Sequence, residues 1–466
     1  MGTQIDMLNK TIADIRRVAP SRWFLSGFVT VLAITTSSIA PAQNWPRFRG
    51  PSADGVAADH AGLPETWSRT ENVQWMTDIE GWGWSSPVVW GERVFLTAVA
   101  SEKGGDEEYE EPMKGLYAGR GRRDPPEAVH RWYVYCLDLG SGEVLWRKEA
   151  HQGKPVVPRH QKNTYASETP AVDGERFYAL FGDVGLYCYD HDGNLLWSQT
   201  IDPKKTLFDY GAAASPVVHG DRVFVIYDNT EESYLAAYDT ATGDEAWRRE
   251  RAEGSTWATP FVWENELRTE LVTAGKNRVR SYDLAGEVLW EFDGDMSNLI
   301  IPSPFAACGM VYITSGYVGD KHRPVYAVKP GAEGDITLEE EQTANDYIRW
   351  YQPTAGPYNP SPIVYGDYYY TLYDRGFLTC HDAHTGEEVY GKTRFAPGAS
   401  FTSSPWAYND RLFCLSEDGD TYVVKPGPEY ELLATNSLDE LCLATPAVVG
   451  DKLLIRTAAK LYCLSK

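Results

Sequence analysis

Eight copies of one phrase run along the chain, and they leave few folds open. Each copy holds a Ser or Thr, a Pro, three mostly apolar residues, a turn usually carrying Gly or Asn beside an acidic residue, and a second apolar run. SSPVVWGERVF from Ser85, ASPVVHGDRVF from Ala214 and ATPAVVGDKLL from Ala444 are three of them. The marker prolines are Pro87, Pro170, Pro216, Pro260, Pro304, Pro362, Pro405 and Pro446, spaced 83, 46, 44, 44, 58, 43 and 41 residues apart. The basic period is therefore in the low forties, with two insertions.

Five copies continue visibly into a second hairpin, as in LDLGSGEVLW from Leu137, YDHDGNLLW from Tyr189 and YDTATGDEAW from Tyr238. Asp and Gly supply the tight turn, and the flanking alternation reads as strands. Each copy is then four antiparallel strands, A to D, and four strands in 40 to 50 residues is the pattern of a β-propeller blade. Proline costs no ladder donor at the first residue of the inner strand. The Trp closing strand D (Trp146, Trp197, Trp247, Trp290 and Trp350) is large enough to fill the wedge between blades. After Pro446 the last copy supplies three strands and no Trp, whereas NVQWMTDI from Asn72 is an unmatched D-like strand with Trp75. Joining these two ends closes the ring and leaves no open sheet edge.

The expected fold is all-β: a single eight-bladed propeller of four-stranded antiparallel blades over residues 72–466, closed by an N-terminal strand. Residues 43–71 form a lead-in packed on it, and 101–130 a loop insertion in blade one. A length of 466 residues would otherwise suggest about three domains. Gly 41, Pro 28 and 13% aromatics favour one large array of short strands and tight turns. A net charge of −23 argues against nucleic-acid binding, which needs clustered Lys and Arg.

Residues 1–42 read as an export signal. Arg16, Arg17 and Arg22 precede an apolar run from Trp23 to Thr35, and Ala40-Pro41-Ala42 offers a cleavage site before Gln43. The run is shorter than the roughly 20 residues that span a bilayer. The expectation is an exported, periplasmic, envelope or secreted monomer with no stable membrane span. Cys136, Cys188, Cys380 and Cys463 share one place in the repeat, so most of the seven cysteines are expected as free thiols inside their own sheets.

The Asp-x-x-(x)-Gly-x-x-x-Trp hairpins, eight copies and circular closure resemble the pyrroloquinoline-quinone-type repeat family. Its members include quinoprotein alcohol dehydrogenases and the propeller lipoprotein of the outer-membrane assembly machinery. The resemblance implies the fold across the whole mature chain. For the dehydrogenases it also implies pyrroloquinoline quinone held through calcium, with an adjacent Cys-Cys pair against the quinone. No two cysteines are adjacent here, and Glu168, Asp228 and Asn229 have the right chemistry for calcium without a motif that joins them. No cofactor and no metal are expected.

Strand order places a site. In an A-B-C-D blade the D–A and B–C loops emerge on one face, and that face collects the unusual residues. Trp84, Tyr165, Trp257, Tyr358 and Phe401 precede strands A and would form an aromatic rim at the channel mouth. His160, Asn163, Glu168 and Asn359 stand beside them, and B–C loops add Asp183, Lys276, Lys321, Arg323, Asp374 and Arg375. A concave mouth with aromatic walls and a few polar groups is a ligand pocket in outline. No zinc spacing, phosphate loop or nucleophile elbow is present, so no catalytic residue is assigned. His381 and His384 read as surface turn residues. The reading is a non-enzymatic binding or scaffold protein for a protein, peptide or carbohydrate. The alternatives are a quinone-dependent oxidoreductase and a carbohydrate lyase or hydrolase.

Overall fold

A computed structural model of the protein describes residues 44–103 and 121–466. The expected export signal and most of the blade-one insertion lie outside the described residues. Eight antiparallel sheets of four strands each follow one another around a ring, and the fourth gains a fifth strand. Blade one shows the plan, with strand A at Val88–Trp90, B at Arg93–Ser101, C at His130–Asp138 and D at Val144–Gly153. In all eight blades the marker proline directly precedes strand A. The ring closes as the repeat count predicts. Val73–Asp78 pairs antiparallel with Lys460–Leu464 and becomes strand D of blade eight.

The recurring hairpin residues have distinct jobs. The Asp that opens each turn accepts backbone N–H groups on one carboxylate oxygen, as Asp239 does from Ala241 at 2.9 Å and Thr242 at 3.0 Å. This local capping organises the turn. The Gly that follows takes a positive φ, 76° at Gly243, which a Cβ would make costly. A Cβ there would also lie 2.6 Å from the ring of Trp197, the strand-D tryptophan of the preceding blade. Each such indole donates its N–H to a carbonyl of the next blade's turn: Trp75 to Leu139, Trp146 to His191, Trp197 to Thr240, Trp247 to Leu284 and Trp350 to Ala383, all at 2.9 to 3.0 Å. The interblade role expected of these tryptophans is what the structure shows.

Trp290 departs from the pattern. The turn it would meet in blade five is replaced by the insertion after Lys329, whose Gly334–Asp335 pairs parallel to Val288–Phe292. Its N–H donates instead to the Glu270 carboxylate at 2.7 Å.

All seven cysteines are free thiols; six are buried and Cys308 is exposed. His381 corrects an expectation. It lies within strand C, Phe377–Asp382, and is only 4% exposed, because the turn begins at Ala383; His384 is exposed. The lead-in does more than lie on the ring. Trp45 pairs with Val89, the Val172 N–H donates to Pro46, the buried Arg49 guanidinium donates to Pro362 at 2.5 Å, and Val56 bridges Ala407. These partners belong to the inner strands of blades one, two and seven and to the proline just before that of blade six, so the segment crosses the central channel and plugs it.

Candidate functional site

The Ser or Thr before each marker proline builds the floor of the site. The backbone N–H of Ser86 donates to the Thr169 hydroxyl of the next blade at 3.0 Å. Thr169, Ser215, Thr259, Ser303, Ser361 and Ser404 repeat that bond in turn, each to the hydroxyl one blade on, the last to Thr445, at 2.9 to 3.1 Å. The residue before a proline is held extended and its N–H lies outside the ladder, so the neighbour's hydroxyl satisfies a buried donor that strand pairing cannot reach. All eight residues face one cavity of about 930 Å³. Phe48 of the plug closes it from below.

The walls are loops of the expected face. Of the residues singled out in the sequence, Trp84, His160, Asn163, Trp257, Tyr358 and Asn359 line the cavity. Others are spent on packing. Tyr165 is buried with its hydroxyl donating to Val157, and Phe401 packs against Phe395 and Tyr422. Glu168 lies behind the wall and accepts the Gly182 N–H at 3.0 Å. Lys276 donates to Asn298, Arg323 stacks over Tyr373, Asp374 is buried, and Lys321 and Arg375 are exposed; none of these reaches the lining. Their loops do emerge on this face, but Arg323 is taken up by the ring of the next blade and Asp374 is buried.

Sequence reasoning passed over Lys162, Phe208, Tyr210, Tyr317 and Asp320, which also line the cavity. Tyr210 carried a usable signal, since it precedes strand A of blade three as Trp84 and Trp257 precede theirs. Phe208 sits in a turn where it and Asp209 both have φ of 58°, a strained geometry for residues with a Cβ. Surrounding bonds hold the turn: Leu207 N–H to the Ser255 hydroxyl, Gly211 N–H to the Thr206 hydroxyl, and Arg122 to Asp209, all at 2.8 Å. Phe208 is thereby presented 56% exposed at the mouth. Phe208, Tyr210 and Trp257 form a run of rings 5.5 and 6.3 Å apart, while Tyr317 and Tyr358 form an edge-on pair at 5.2 Å.

Charges in the wall are matched internally. Lys162 donates to Glu417 at 2.6 Å, both side chains buried, and Thr402 holds the other carboxylate oxygen. Arg122 pairs with Asp209 and Asp124, and Asp320 accepts the Ser297 hydroxyl. His160 is neutral at pH 7: burial, with Lys162, Arg159 and Arg123 nearby, pushes it down to about 4. Asn163 is fully engaged, donating to Tyr210 and Ala212 at 2.9 Å and accepting from Ser167.

Behind the wall, burial and the nearby Asp183 push Glu168 up to about 8, and burial pushes Asp183 up to about 7. Between its ordinary value of 4.5 and about 8, folded Glu168 keeps a proton that the unfolded chain has lost. Its contribution is thus fully present below pH 4.5 and disappears as pH rises through 8. Glu168→Gln, which retains an acceptor for Gly182, is expected to remove that loss, a gain on the order of a few kcal/mol at pH 8 and little at pH 5. Thermal melts of both proteins at the two pH values measure it; parallel pH profiles would refute it.

The residues offered for a calcium–quinone centre do not fit one. Asp228 is bidentate to Arg251, the Asn229 amide caps its own turn, and Glu168 is bound to Gly182. Among the described residues no three His, Cys, Asp or Glu side chains group to hold a metal. No helix among the described residues is long and apolar enough to cross a membrane.

Comparison with known proteins bears on the fold. No curated protein matches the chain. Among solved structures, BamB from Moraxella catarrhalis superposes with a TM-score of 0.55 at 12% identity, covering 84% of this chain and 96% of that one. A europium-containing methanol dehydrogenase gives 0.59 at 11% identity, with 92% and 99% covered. A quinohemoprotein alcohol dehydrogenase from Pseudomonas putida HK5 gives 0.55 at 12%, with 91% and 80% covered. At such identities the likeness is one of fold, shared by BamB and by dehydrogenases alike. Residues 130–389 match the PQQ_2 family, described as outer membrane protein assembly factor BamB, and with more than half its length inside that match the chain belongs to this family of PQQ-like propellers.

Proposed function

We propose that the protein is a non-enzymatic binding protein of the cell envelope that takes its ligand in the cavity on its loop-rich face. The observation that carries this reading is the cavity itself: about 930 Å³, near the upper end of the usual range of about 300–1,000 Å³ for ligand pockets, with aromatic walls and charges already matched. A catalytic pocket would be expected to aim an unmatched acid, base or nucleophile into the space. Here the titratable groups of the lining are paired, hydrogen-bonded or neutral. The export signal expected in residues 1–42 and the description of the matched family both support an envelope location.

The test is a thermal-shift screen of the full chain against saccharides, peptides, amino acids, nucleotides, and pyrroloquinoline quinone with calcium. A stabilising shift that Trp257→Ala abolishes, without conversion of the bound compound, is the expected result. Turnover of that compound would overturn the non-enzymatic reading, and the absence of any cavity-dependent shift would overturn the binding role.

A further inference from the structure

We infer that the ligand of this cavity is an uncharged saccharide segment. The inference rests on the binding role proposed above and names its chemistry. Three features on the walls and floor point the same way.

The first is the disposition of rings. Phe208 and Tyr210 on one loop and Tyr317 with Tyr358 on two others present aromatic surface to the same space. A pyranose has flat C–H faces that stack on such rings, with its hydroxyls projecting around the edge. Stacking on fixed aromatic surfaces also costs little side-chain entropy on binding. The presentation of Phe208 is enforced by a strained, multiply bonded turn, so its exposure is a built feature of the mouth.

The second is the polar complement. Seven of the eight floor hydroxyls, from Thr169 round to Thr445, already accept a backbone N–H, which leaves each its own O–H to donate. Asn359 offers an amide donor and acceptor, and Asp320 supplies acceptors. Short groups that both donate and accept are what sugar hydroxyls require. A peptide would instead need backbone partners for its own N–H and C=O groups, and seven of the eight backbone N–H groups of the floor ring are already committed to hydroxyls.

The third is charge. Both lining cations are already paired, Lys162 with Glu417 and Arg122 with Asp209 and Asp124, while Asp320 accepts the Ser297 hydroxyl. An anionic ligand would therefore meet only cations that already have carboxylate partners, whereas a neutral one loses nothing by that pairing.

The test is calorimetric titration of the full chain with three panels: neutral gluco-, manno-, xylo- and galacto-oligosaccharides of three to six residues, their uronate-bearing counterparts, and hexapeptides. The expected result is binding of at least one neutral oligosaccharide, little changed between low and high salt. Phe208→Ala and Asn359→Ala, both at partly exposed positions where folding should survive, are each expected to weaken it roughly tenfold or more. Preference for uronates with steep salt dependence would overturn the inference. So would saccharide affinity unmoved by both variants, or cavity-dependent binding of peptides alone; in that last case the binding role stands. Binding of nothing from any panel, together with a silent thermal-shift screen, removes the role and the inference together.

Discussion

Trp197→Ala is expected to lower stability by about 3–5 kcal/mol, the range for emptying a large aromatic site in a packed interior. Trp197 stands on strand D of blade two, Leu195–Thr200, with 9% of its surface exposed. Its ring fills the wedge between blades two and three, touching Tyr178 on one side and the Gly243 turn on the other. Neither wall collapses readily into the space, because each belongs to a hydrogen-bonded sheet. Truncation also strips the Thr240 carbonyl of its donor at 3.0 Å. Trp197→Phe separates the two effects: it keeps most of the apolar area and should cost about 1–2 kcal/mol. Denaturant melts of the three proteins measure this. A Trp197→Ala variant within about 0.5 kcal/mol of wild type would mean that the interblade tryptophans are not what joins the ring.

Asp228→Ala is expected to cost about 3–5 kcal/mol, for an electrostatic reason. Arg251 and Asp228 have no exposed side-chain surface, and the guanidinium is bidentate to the carboxylate at 2.8 and 3.1 Å. Its remaining arm donates to Thr273 at 2.8 Å and to the Tyr282 hydroxyl at 2.7 Å, across the boundary between blades three and four. Removing the carboxylate strands a buried cation with two neutral acceptors. Removing both charges should cost much less, so Asp228→Leu combined with Arg251→Met is expected to recover most of the loss. Double-mutant analysis of denaturant midpoints reads the coupling; additive losses would show that the charge is not the cause. The same geometry explains why Asp228 is not available as a metal ligand.

The repeat made the ring legible, because strand period, turn chemistry and the spacing of prolines are local properties. Pro87 and its seven counterparts mark strand A, Gly243 and its counterparts mark the C–D turn, and the unmatched Trp75 strand calls for a partner at the other terminus. The face of the site followed from strand order, and the aromatic residues just before strands A reach the cavity where the chain enters the blade directly, as at Trp84, Trp257 and Tyr358. Tyr165 and Phe401 share that placement in sequence yet are packed inside. The difference lies in which neighbouring blade offers each ring a gap to fill.

Charged loop residues were less legible still. Arg323 lies on a B–C loop as Asp320 does, but its guanidinium finds the Tyr373 ring while Asp320 faces the cavity. The serine and threonine of the repeated phrase were visible as a pattern, and their use as acceptors for the next blade's predecessor was not, since each bond joins residues 41 to 83 positions apart. The number of blades, their strand order and the closure of the ring could all be read from the residues alone. These rest on short-range patterns repeated eight times. Which side chains face the cavity, that its cations are already paired, and that the lead-in plugs the channel beneath it came from the packed ring alone. Those outcomes depend on contacts between blades, where the partner of a residue is set by how the ring packs.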